Sequence, residues 1–65
     1  MQIIFSLKQL DDESWRDCAR RIGQKYGLEF EVMKSFEANL RAGDSEEVAA
    51  IEACHQWDLC DYEYA

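Results

Sequence analysis

Apolar residues recur at helical spacing in three blocks. Trp15, Cys18, Ala19, Ile22 and Tyr26 fall at i, i+3, i+4, i+7 and i+11, which is one face of a helix. Leu28, Val32, Met33, Phe36 and Leu40 make a second stripe, with Phe30 lying off it. Val48, Ile51, Cys54 and Leu59 make a third, with Ala50, Ala53 and Trp57 beside it. The pattern predicts an all-α, compact three-helix domain over residues 1–65, with helices at about 12–26, 29–42 and 44–60. Residues 1–10 read as a short N-terminal arm whose Ile3, Phe5 and Leu10 pack onto the helices, and residues 61–65 read as a fraying tail.

Polar punctuation sets the ends. Asp11-Asp12-Glu13-Ser14 supplies an aspartate N-cap and first-turn acids for helix 1, where carboxylates satisfy free amides and the positive dipole end. Gly27 and Gly43 stand where left-handed C′ residues would end the first two helices, and Leu28 is available for the apolar contact of a Schellman motif. Asp44 with Glu47 three residues on follows the logic of a capping box for helix 3. Gly23, inside helix 1, costs about 1 kcal/mol relative to Ala and hints at close packing there. With no proline and three glycines, little else breaks the helical reading.

Composition then narrows the class. A 65-residue chain that is 48% hydrophobic is one small folded domain, burying roughly 60% of the surface its unfolded chain exposes. So small a core makes self-association a natural supplement, and a homodimer is one expectation. Three cysteines preclude a fully paired disulfide framework within one chain, and reduced thiols in a cytoplasmic protein are expected. The start, MQIIFSLKQL, lacks the basic n-region and cleavage site of a signal peptide. No stretch approaches the ~20 apolar residues of a membrane span.

Charge is more informative than composition. All seven Lys and Arg residues lie in residues 1–43, where seven of the fourteen carboxylates balance them. Residues 44–65 hold the other seven acids and no Lys or Arg, so the net charge of −7 is confined to the last third. Such a sided field is one that partners feel. Either these acids keep the domain soluble, or they form an array that engages a basic groove. Glu46, Glu47, Glu52, Asp58, Asp61 and Glu63 are the candidate members of that array. Trp57, Tyr62 and Tyr64, with Phe30 on helix 2, are candidate aromatic anchors.

Catalytic and cofactor chemistry is not indicated. Cys18, Cys54, His55 and Cys60 are ligand types that zinc accepts, but there is no Cys-x-x-Cys, and Cys54 and His55 are adjacent. Neighbours on a helix point about 100° apart, which also disfavours a Cys54–His55 nucleophilic pair. A helix-turn-helix reading around Ala19 and Gly23 founders on Glu29-Phe30-Glu31 at the start of the second helix, where carboxylates repel phosphates. An anionic bilayer would repel the third helix in the same way. The expectation is a non-enzymatic protein with no cofactor, no nucleic-acid or membrane partner, and a protein partner.

The order of features supplies a setting. Trp15 and Ala19, then Tyr26-Gly27-Leu28, then Gly43-Asp44-Ser45-Glu46-Glu47, then Trp57-Asp58-Leu59 together resemble the small acidic helical proteins that bacteriophages encode, among them anti-CRISPR and host-takeover inhibitors. The resemblance spans about residues 15–59 and implies an inhibitor that binds a host or defence protein in the bacterial cytoplasm. A small dimeric adaptor or regulatory subunit, acidic only for solubility, is the alternative.

Overall fold

The computed structural model describes residues 7–59 in full, and only the backbone of Ile3–Ile4 and Glu63–Tyr64 beyond them. Three helices form the domain: α1 (Trp15–Lys25), α2 (Glu29–Arg41) and α3 (Glu46–Gln56), each packed on both others. The expected all-α three-helix architecture is therefore the observed one. At the ends, Ile3–Ile4 (β1) pairs antiparallel with Glu63–Tyr64 (β2), Ile3 opposite Tyr64. The arm and the tail, treated as separate in the sequence, are thus joined by their backbones.

The core contains Cys18, Ala19 and Ile22 from α1, Val32 and Phe36 from α2, and Ala49, Ala50, Ala53 and Cys54 from α3, closed by Leu7 and Leu59. Helix 3 is rotated from the expected stripe. Val48 is 43% exposed and Ile51 only half-buried. The buried face carries small residues because each of the three helices must pack against two others. Tyr26 and Leu10 are also corrections: Tyr26 is exposed as the residue capping α1, and Leu10 is exposed while Leu7 takes the buried place. Ile3 and Phe5 have side chains outside the described residues.

Helix ends differ from the sequence reading for reasons visible in the backbone. Helix 1 starts at Trp15 because Asp12 has φ +62°, a left-handed conformation no right-handed helix contains. Ser14 is the N-cap instead, its Oγ accepting from the Asp17 amide at 3.1 Å. Helix 3 starts at Glu46 with Ser45 as cap, its Oγ accepting from the Val48 amide at 3.2 Å. Asp44 stands one residue too early to cap α3 and belongs to the end of α2, its amide donating to the Asn39 carbonyl at 3.1 Å.

All three helices finish with the same device. The C′ residues Gly27, Gly43 and Asp58 are left-handed, at φ +71°, +103° and +58°. The next amides, of Leu28, Asp44 and Leu59, reach back to the carbonyls of Gly23, Asn39 and Cys54 at 2.7, 3.1 and 2.8 Å. These are Schellman closures. The third ends α3 at Gln56, short of the expected 60, and turns the chain so that Leu59 is buried. Asp adopts the left-handed region more readily than most non-glycine residues, so Asp58 replaces the glycine that would have announced this turn.

The segment before α1 is locked by one ion pair. Arg21 donates from Nε to Glu13 Oε2 at 3.0 Å and from Nη2 to the Lys8 carbonyl at 2.7 Å, while Glu13 Oε1 accepts from the Leu10 amide at 3.0 Å. The Glu13 carboxyl is held below its usual range, first by the Arg21 hydrogen bond; burial opposes this, and the Leu10 amide adds to the lowering. A lowered folded value means stability that is present above the unfolded pKa of about 4.3 and lost as pH falls through the folded one. Glu13→Gln should therefore cost about 1 kcal/mol or more at neutral pH. It should also narrow the gap between urea midpoints measured at neutral pH and near pH 3. An unchanged gap would place the acid sensitivity elsewhere.

Candidate functional site

The three arginines of α1 are consumed inside the fold. Arg16 is ion-paired to Glu37 and lies 5.1 Å above the Phe36 ring. Arg20 sits 3.6 Å from Asp17 and 3.7 Å from Glu29, and Arg21 holds Glu13. By contrast, Asp44, Glu46, Glu47, Glu52 and Asp58 make no ion pair among the described residues. All five are exposed. The localised negative charge of the sequence is thus an uncompensated charge in space.

It is not a single face. Successive helix residues step by about 100°, so Glu46, Glu47 and Glu52 point in three directions roughly 100–140° apart around α3. Glu46 and Glu47 are first-turn residues, where they also complement the helix dipole. Asp58 serves as the left-handed closure of α3. This dispersal was derivable from the residue numbers alone. Asp61, Glu63, Tyr62 and Tyr64 have side chains outside the described residues.

Two of the aromatic candidates, Phe30 and Trp57, do come together. Phe30 is 75% exposed on α2, as its off-stripe position implied. It lines a shallow groove whose far wall is Trp57, with Lys34, Ser35, Ala38 and Gln56 between them. Trp57 is oriented there by its indole Nε1, which donates to Ser35 Oγ at 3.3 Å. The groove continues around Phe30 over Met33, Lys34, Glu37 and Arg41. Sequence reasoning missed Lys34 and Arg41, which have no carboxylate partner among the described residues.

Cys18 and Cys54 are both buried in the core, and the Cys18 thiol donates to the Lys8 carbonyl at 3.5 Å. His55, beside Cys54 in sequence, is exposed. The two neighbours face opposite environments, as the 100° step requires. Among the described residues no group of three or more His, Cys, Asp or Glu side chains is placed to hold a metal ion, and no helix is long and apolar enough to cross a membrane. Comparison with protein-family models, curated proteins and solved structures finds no match.

Proposed function

We propose that this domain is a non-enzymatic inhibitor that binds a protein with a basic, nucleic-acid-binding surface and occludes it. The small acidic phage proteins it resembles would set this role against a host or defence protein. The observation that carries the reading is the one-sided charge compensation. The arginines of α1 are spent on acids of α1, α2 and the preceding segment, while the described carboxylates around α3 have no ion-pair partner among the described residues. Carboxylates left this way can exchange solvent for the lysines and arginines of a partner, and they steer its approach.

Glu46→Gln, Glu47→Gln and Glu52→Gln, combined in one chain, remove three charges from exposed positions without touching the core. The triple variant should weaken capture of the partner at least about tenfold, mainly by slowing association. Capture by the unaltered domain should fall steeply between low and high salt. A partner held equally by both proteins and resistant to salt would sink the occlusion reading. It would support the adaptor, which the dispersal of the three glutamates around α3 favours.

A further inference from the structure

We propose that the outer face of α2 is the interface of an antiparallel, two-fold homodimer, with Phe30 as its apolar anchor. At about 100° per residue, Phe30, Lys34, Glu37, Ala38 and Arg41 all lie within about 60° of the direction opposite the buried Val32 and Phe36. This is the face on which Phe30 is 75% exposed and on which Lys34 and Arg41, without a carboxylate partner among the described residues, stand. It is also self-complementary. An axis crossing α2 between Ser35 and Phe36 sets Lys34 opposite Glu37 of the second copy, and Phe30 opposite Arg41 of the second copy, each contact occurring twice.

Glu37 can serve both partners. Its Oε1 takes Arg16 within the chain, and Oε2 remains for the lysine across the axis. The aromatic–guanidinium contact repeats what Arg16 and Phe36 already do inside the domain. Ala38, small and exposed, lets the helices approach. A parallel pairing would instead set Lys34 against Lys34 and Arg41 against Arg41, so charge selects the antiparallel arrangement. The arm does not compete for this role, since its Ile3–Ile4 backbone pairs with the same chain's Glu63–Tyr64. A domain whose third helix gives the fully buried core only alanines and a cysteine, with Ile51 packed at its edge, gains stability from a second copy. The α2 dimer stands with either functional reading and gives the adaptor reading its interface.

The test is the mass of the isolated protein by sedimentation, over a wide concentration range at about 0.15 M salt, the ionic strength at which exposed charges feel each other only within about 8 Å. No partner is present, so the result is independent of the inhibitor reading. The wild type should be a dimer. Phe30→Ser, which alters an exposed side chain, and Lys34→Glu, which sets Glu against Glu37 twice, should each be monomeric with unchanged helicity. Glu37→Lys alone should likewise be monomeric, and mixing it with Lys34→Glu should restore a dimer, because each copy then supplies the charge the other lacks. A monomeric wild type, a species larger than a dimer, a dimer unaffected by Phe30→Ser, or a mixture that stays monomeric overturns the proposal.

Discussion

Phe36→Ala is expected to abolish the cooperative thermal transition or lower Tm by at least roughly 12 °C. Phe36 is the largest fully buried side chain among the described residues. Truncating a buried Phe costs about 3–5 kcal/mol, the upper end applying where neighbours cannot move into the space. Here they cannot move far. The buried residues of α3 are Ala49, Ala50, Ala53 and Cys54, side chains too short to swing inward, and Arg16 above the ring is tied to Glu37. Against a total stability of about 3–10 kcal/mol for a chain of this length, such a loss is most or all of what holds the fold. Each kcal/mol moves the Tm of a domain this small by roughly 4–8 °C. A calorimetric scan of Phe36→Ala showing a drop under about 5 °C would mean that the core does not rest on this ring. Phe36→Leu, which keeps most of the volume, should fall between the two.

How much of this was legible in the sequence differs by kind of signal. Gly27 and Gly43 announced two helix ends because a left-handed C′ position selects glycine, and both are left-handed. Asp58 closes the third helix in the same conformation without being glycine, so the sequence pattern predicts a longer α3 than the one that forms. Ser14 and Ser45 lost the cap positions to nearby aspartates in the reading, since both residue types cap well and only the backbone decides. Asp12 is excluded by its own φ, and Asp44 because α3 starts at Glu46, which puts Ser45 at the cap.

The buried face of α3 differs from the apolar stripe for a different reason. Hydrophobic ranking prefers Val48 and Ile51 to Ala49 and Ala53, but three mutually packed helices select for small size at their closest approach. Phe30 was legible because its stripe excluded it. The dispersal of Glu46, Glu47 and Glu52 was legible too, from their spacing. The pairs Arg16–Glu37 and Arg20–Glu29 were not, because they join residues of different helices. Those pairs are what turn a sequence-level excess of acid into uncompensated charge around α3.

Gly23→Ala should destabilise the domain by about 1–3 kcal/mol, although it exchanges a poor helix former for the best one. Propensity alone predicts a gain of about 1 kcal/mol inside a helix. Opposing it, a Cβ on Gly23 would stand 2.9 Å from the Glu29 Cα, and 3.3 Å from both the Glu29 nitrogen and the Leu28 carbonyl oxygen. All three are backbone atoms, so no side chain can rotate out of the way. Nor can the backbone shift at little cost, because the turn is closed on Gly23 itself. The Leu28 amide donates to the Gly23 carbonyl at 2.7 Å, and the Gly27 amide to the Gln24 carbonyl at 3.2 Å. Relieving the contact means opening that closure or pushing the start of α2 away from α1, the strain that makes overpacking cost about 1–3 kcal/mol. Steric conflict therefore outweighs propensity, and chemical unfolding should show a lower midpoint for Gly23→Ala. A raised midpoint would mean that α1 and α2 do not meet this closely and that Gly23 is a helix defect with no packing role.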